Sequence, residues 1–105
     1  MAGGHYFASE ELSEKPQFLR EREELPAIFL PDIVPAPTVA YVLINETGHV
    51  DQVILQESFL SEAAKQYIQA YFGNMIFSPG RIGELDVKSR MQIIIRLDAL
   101  LPLHP

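Results

Sequence analysis

Residues 38–57 decide the fold, and they read TVAYVLINETGHVDQVILQE. The first part, residues 38–45, is rich in β-branched and aromatic residues, which favour a strand. Gly48 follows in a polar stretch typical of a tight turn, and residues 49–57 read as the returning strand. The segment therefore predicts a β-hairpin.

The second strand of this hairpin does not alternate strictly. Its strongest apolar positions are Val50, Val53 and Leu55, and alternation fails between the first two. One extra residue near Asp51 or Gln52, a β-bulge, places all three on one face.

A helix is predicted after the hairpin. Ser58 or Ser61 can cap it, Glu62 suits the positive first turn, and Gly73 ends it. Residues at helical spacing form its apolar face: Leu60, Ala63, Ala64, Tyr67, Ile68 and Tyr71.

Residues 87–97 show the clearest alternation in the chain, which predicts a strand with one solvated face. The face predicted to be buried contains Val87, Ser89, Met91, Ile93, Ile95 and Leu97. The opposite face contains Lys88, Arg90, Gln92, Ile94 and Arg96.

These segments predict an α+β domain with a β-β-α-β core. Because a helix connects the second strand to the third, the two run parallel, and the first strand fits antiparallel between them. We expect a three-stranded, antiparallel-type sheet of order 2-1-3, covered by one helix. That order leaves the strand at 87–97 on an edge.

An extended N-terminal arm, residues 1–37, is expected to pack on the domain formed by residues 38–105. Within the arm, residues 25–37 contain four of the eight prolines, and proline disfavours regular helix. The segment from Ser78 through Gly83 reads as a loop.

Composition excludes several function classes. The net charge of −6 and the lack of a basic cluster weigh against nucleic acid. There is no cysteine, and His5, His49 and His104 are scattered, so neither a metal site nor a cofactor is expected. No catalytic motif is found, and we expect a binding protein, not an enzyme. Asn45 begins a glycosylation sequon, which its place in the hairpin turn explains.

The order of these motifs resembles the C-terminal domain of TonB-family energy transducers. The hairpin with its Gly48 turn, the alanine-bearing helix, the aromatic residue and proline at Phe77 and Pro79, and the alternating last strand carry the resemblance. It covers roughly residues 38–98, and residues 6–16 resemble the lead-in of many relatives. The proline-rich run at 25–37 departs from the family, where a short helix is common.

The resemblance implies a periplasmic domain that supports energy-dependent transport. The full-length protein would be anchored in the inner membrane, with an outer-membrane receptor segment as partner and a proton-driven motor complex contacted through the missing N-terminal part. The alternative is a related envelope scaffold or self-association domain without energy transduction, and a homodimer is possible.

The resemblance also implies that a receptor segment adds to the sheet edge, and the expected strand order places this edge on the last strand. The predicted peptide-binding residues are Val87, Lys88, Ser89, Arg90, Met91, Gln92, Ile93, Ile94, Ile95 and Arg96. The bases among them would attract an acidic partner. The alternative is that residues 6–34, or the tail at 99–105, cover the edge.

Overall fold

The computed structural model describes residues 5–23, 37–56 and 60–96, and the α+β class with one helix is confirmed over these ranges. A short 3₁₀ turn at Ser9–Glu11 follows the first strand. The elements in chain order are β1 (Phe7–Ala8), β2 (Phe18–Glu21), β3 (Pro37–Ile44), β4 (Val50–Leu55), α1 (Glu62–Gly73), β5 (Met75–Phe77), β6 (Gly80–Ile82), β7 (Leu85–Val87) and β8 (Ser89–Arg96).

The main sheet has four strands in the order β1-β8-β3-β4, not the three that the sequence predicted. β3 pairs antiparallel with β8 and β4, as expected for order 2-1-3. β1 adds a fourth strand parallel to β8, which makes the sheet mixed. The sequence did not predict this strand because two residues are too few to show a period.

The hairpin forms around residue 48 with the predicted bulge. Leu43 pairs with Gln52 and Ile44 pairs with Val50, which leaves Asp51 as the extra residue. The amide of Gly48 donates to the carbonyl oxygen of Asn45 over 3.0 Å and closes the turn. The returning strand ends at residue 55, short of the predicted residue 57.

Gly48 also lets the hairpin tip approach β5. Its φ angle is +90°, in the left-handed region that favours glycine. Its carbonyl oxygen accepts from the amide of Phe77 over 2.9 Å, and a Cβ added at residue 48 would collide with the carbonyl oxygen of Phe77. Conformation and space therefore both require glycine here.

Helix α1 covers one face of the sheet. Ser61 is the N-cap, and its Oγ accepts from the amide of Ala64 over 3.1 Å. Asn74 is the C-cap, so the helix includes Gly73 and ends one residue later than predicted. Ala63 is exposed, in contrast to its predicted place on the buried face. The helix buries its apolar side against β3 and β4 through Leu60, Ala64, Ile68, Ala40 and Val53.

The core side of β8 agrees with the predicted alternation where side chains are described. Ser89 is buried, Met91 and Ile93 are half-buried, and Ile94 is 66% exposed on the opposite face. The strand begins at residue 89, because Val87 belongs to β7. The side chain of Ile95 lies outside the described residues, as does Leu97.

The segment predicted as a loop is a second small hairpin. β6 and β7 pair antiparallel, with Gly80 opposite Val87. A separate ribbon joins β2 to β5. These strands have three or four residues each, too short for a reliable periodic signal. The proline-rich stretch before residue 37, Ser58 and the tail at 99–105 lie outside the described residues.

We predict that Gly48→Ala destabilises the domain more than Gly83→Ala. Both glycines have positive φ angles, +90° and +62°, so each substitution strains the backbone by about 1–2 kcal/mol. Only residue 48 also has a carbonyl group in the way. Urea denaturation measures both free energies of unfolding. Equal losses would contradict the close approach to Phe77.

We predict that Ile93→Ala lowers the free energy of unfolding by about 2 kcal/mol, because Ile93 packs both against the core under α1 and against the buried cluster of Val42, Ile44 and Phe77. Ile94→Ala is the matched control, since it removes the same atoms from a side chain that is 66% exposed. Its loss should stay below about 0.5 kcal/mol. A larger loss for the control would mean that the wrong face of β8 has been assigned to the core.

Candidate functional site

The outer edge of β8 is the row of backbone groups that faces away from β3. The amide of Phe7 donates to the carbonyl oxygen of Lys88 over 3.0 Å, so the backbone carbonyl at position 88 faces outward. Since backbone groups alternate in direction along a strand, those of Arg90, Gln92 and Ile94 face outward too. The backbone amides and carbonyls on the outer edge of β8 are therefore those of alternate residues, beginning with Arg90.

β1 covers only the beginning of this edge. It pairs Phe7 with Ser89 and Ala8 with Arg90. Among residues 5–23, 37–56 and 60–96, no strand pairs with the outer side of residues 91–96. This open segment of β8, residues 91–96, is called the free edge below.

The residues predicted to form the binding edge do not all lie on it. Val87 pairs with Gly80 in the small hairpin, and Lys88 connects β7 to β8. Ser89 and Arg90 lie beside β1. The remaining predicted residues form the free edge: Met91, Gln92, Ile93, Ile94, Ile95 and Arg96. The arm therefore covers the edge at Ser89 and Arg90, the first two residues of β8.

The solvated face of the sheet carries both charge and apolar surface beside the free edge. The guanidinium carbon of Arg90 lies 5.4 Å from the centre of the Tyr41 ring, a cation–π distance. Ile94 is 66% exposed and pairs across β3 with half-buried Val39. A strand added here would meet an arginine at one end and an isoleucine further along.

A small cavity of about 200 Å³ marks the point where β1 ends and the free edge begins. Its lining comes from the arm on one side and from β3 and β8 on the other. The residues are Ala8, Ser9, Glu10, Tyr41, Arg90 and Gln92. Hydrogen-bond donors and acceptors therefore converge at the end of any added strand.

The arm is attached to the sheet through Tyr6. Its Oη donates to Oδ2 of Asp51, the bulged residue of β4, over 2.6 Å. The Nζ of Lys88 lies 5.5 Å from the centre of the Tyr6 ring. The hydrogen bond to Asp51, burial and nearby negative charge raise the pKa of Tyr6 to about 12. The sequence did not indicate this contact, because 45 residues separate its partners.

The hairpin tip is a polar network centred on Asn45. Its Oδ1 accepts from the amides of Thr47 and His49 over 2.9 Å and 3.0 Å, and its Nδ2 donates to Asp51 over 3.3 Å. These bonds explain why asparagine occupies this turn position. His49 beside this network is exposed.

The opposite edge of the sheet, on β4, is less accessible to a new strand. Nε2 of Gln69 on α1 donates to the carbonyl oxygen of Val53 over 3.4 Å. The bulge at Asp51 interrupts the row of backbone groups, and bulges discourage edge pairing. β8 therefore offers the better edge.

A larger polar groove, about 610 Å³, lies between the arm and the β6–β7 hairpin. Arg81 occupies it, with its Nε 3.2 Å from Oδ1 of Asp86 and Nη1 3.7 Å from Oε1 of Glu14. The backbone of Ser13 also bonds to the carbonyl oxygen of Arg81 over 2.8 Å. These contacts hold the arm against the β6–β7 hairpin.

Two further findings concern metal sites and membrane-spanning helices. No group of three or more histidine, aspartate or glutamate side chains able to hold a metal ion occurs in residues 5–23, 37–56 and 60–96. Over the same ranges, no helix is long and apolar enough to cross a membrane.

We predict that Asp51→Asn lowers the pKa of Tyr6 from about 12 towards 10, because it replaces the carboxylate that accepts the hydrogen bond from Tyr6 and removes its negative charge, both of which favour the neutral phenol. The pKa of Tyr6 is raised on folding, so the neutral phenol stabilises the folded domain. This stabilisation is fully present below pH 10 and is lost as the pH rises through about 12. Ultraviolet absorbance of tyrosinate measures the change. Asp86→Asn, which removes a charge near Arg81 instead, should leave the Tyr6 titration unchanged.

Comparison with protein-family models, curated proteins and solved structures finds no match to this chain. The resemblance to TonB-family C-terminal domains therefore stays a prediction that rests on the motifs in residues 38–98. Support for a function comes from the geometry of β8.

Proposed function

We propose that this chain is a protein-binding domain that captures an extended segment of a partner by adding it as a strand to the free edge of β8. The observation that carries the proposal is the row of outward backbone groups at Gln92 and Ile94, which no described residue pairs. Unpaired edges of this kind recruit strands.

Backbone hydrogen bonds supply affinity in this mode of binding, at about 0.5–1.5 kcal/mol net for each bond. The free edge is six residues long at most, so only a few bonds form and binding through it alone is weak. Side chains beside the edge add cross-strand pairs. Ile94 favours an apolar residue opposite it, because its own side chain is largely exposed.

Charge selects among partners. The chain carries a net charge of −6, yet Arg90 is basic and lies where β1 gives way to the free edge. An acidic residue at the corresponding end of a partner segment is attracted to Arg90, whereas a basic residue is not. The proposed partner is therefore an extended segment with an acidic end and an apolar residue near Ile94.

The wider setting is proposed from the TonB resemblance. The partner is then a segment of an outer-membrane receptor, and the domain works in the periplasm without catalysis. An anchor in the inner membrane and contact with a motor complex belong to the same proposal. The order of hairpin, helix and final long strand along the chain supports this proposal.

A second candidate is self-association through the same edge. The exposure of Ile94 beside unpaired backbone groups favours it, because such edges pair with copies of themselves. In this case the domain is an envelope scaffold, and β8 of one copy lies against β8 of the next. The overall negative charge of each copy opposes this association.

We predict that a capped synthetic peptide of about six residues, alternating threonine and valine with a glutamate at one end, binds along the free edge. Titration of the isotope-labelled protein, followed by NMR, should shift the amide signals of Gln92 and Ile94 most strongly. Shifts confined to α1 or β2 would contradict the proposal. Signals of residues 91–96 that shift with protein concentration alone would favour self-association.

The control variants separate backbone pairing from side-chain contact. Gln92→Pro removes an outward amide and leaves the inward groups of Met91 and Ile93 bonded to β3, so it should abolish binding. Gln92→Thr keeps the amide and should retain it. If the proline variant is unfolded by circular dichroism, a peptide N-methylated at alternate residues tests the same bonds from the partner's side.

A further inference from the structure

β1 occupies the same row as the proposed partner strand. Phe7 and Ala8 pair with Ser89 and Arg90 on the outer side of β8, and the free edge begins at the next residue. A given backbone amide or carbonyl can pair with only one added strand in a sheet, so a partner that extends past the free edge competes with the arm.

β1 is held by a two-residue pairing with β8 and by the side chain of Tyr6. The contacts include the bond from the amide of Phe7 to the carbonyl oxygen of Lys88, 3.0 Å, the bond from Tyr6 Oη to Asp51, 2.6 Å, and the cation–π contact of Lys88 with the Tyr6 ring, 5.5 Å. The strand has two residues, and both side chains are only half-buried. Short, partly exposed pairings open at small free-energy cost.

The attachments that follow β1 in the chain make its release local. The next attachment of the arm is at Ser13, whose amide donates to the carbonyl oxygen of Arg81 over 2.8 Å. Between the two, the 3₁₀ turn at Ser9–Glu11 is closed by its own bond from Leu12 to Ser9, 3.1 Å. Residues 5–8 can therefore leave the edge while the groove around Arg81 stays formed.

Resting on the proposed function, we propose that β1 is an internal competitor that sets the length of the segment the edge accepts. A partner of about six residues docks on the free edge beside an intact arm, with its end at the cavity formed by Glu10, Tyr41 and Arg90. A longer partner must first displace Phe7 and Ala8. Its apparent affinity is the intrinsic affinity multiplied by the fraction of molecules in which β1 has left the edge.

The arm thus discriminates between partners by length, whereas Arg90 on β8 discriminates by charge. For a short segment, the arm lies beside the bound peptide and marks the end of the free edge. For a long segment, it occupies the positions at Ser89 and Arg90 that the partner needs. Weakening the arm should therefore raise the affinity for long segments alone.

The test uses Tyr6→Phe, which keeps the ring and removes the hydroxyl that bonds Asp51. The probes are capped threonine–valine peptides with a terminal glutamate, one of about six residues and one of about eight, matched to the free edge and to the whole outer edge of β8. Tyr71→Phe, the same substitution on α1, is the control. Isothermal titration or fluorescence anisotropy measures both affinities.

We expect Tyr6→Phe to raise the affinity for the long peptide by about threefold to tenfold and to leave that for the short peptide unchanged. The amide of Phe7 should lose its hydrogen-exchange protection when the long peptide binds, and keep it with the short one. Tyr71→Phe should change neither affinity.

The outcomes separate this inference from the proposed function. If neither peptide binds to the parent chain, strand addition itself is wrong. If both bind, and neither the Phe7 amide nor the Tyr6→Phe affinities distinguish them, strand addition stands and the role of the arm is overturned. A long peptide that binds with Phe7 still protected also overturns it.

Discussion

The pairing of β3 with β8 is the interaction on which the rest of the structure depends. It runs from Pro37 opposite Arg96 to Ile44 opposite Ser89 and takes up the inward backbone groups of β8. Because β3 also pairs with β4, it is fixed on both sides, and its core-facing residues are fully buried, Ala40 against α1 and both Val42 and Ile44 against Phe77 of β5. This rigid centre holds β8 in place while its outer groups remain available.

The N-terminal arm both completes the sheet and limits it. Its first strand extends β8 in parallel, and Tyr6 connects that strand to the bulge at Asp51. The bulge that corrects the apolar face of β4 therefore also presents the carboxylate that anchors the arm. The bulge at Asp51 thus serves the core and also helps to hold β1 on β8, which limits the free edge to residues 91–96.

Charge and burial give the two faces of β8 different roles. Ser89, Met91 and Ile93 face the helix side and stabilise the domain, whereas Arg90 and Ile94 face solvent. Changes on the solvated face should thus alter recognition with little effect on stability. This separation lets binding variants be studied in a folded domain, and it follows from the alternation of side chains in a strand.

The sequence by itself determined the hairpin, its bulge, the capped helix and the buried side of β8, because each has a local period or turn signal. It placed the last strand on an edge of the sheet, whereas β1 lies outside β8 in the structure. Only the tertiary structure decided that Phe7 and Ala8 cover part of that edge, that residues 80–87 form a hairpin, and that Tyr6 reaches Asp51. Those features depend on strands of two or three residues and on contacts between distant positions, which leave no periodic pattern in the chain.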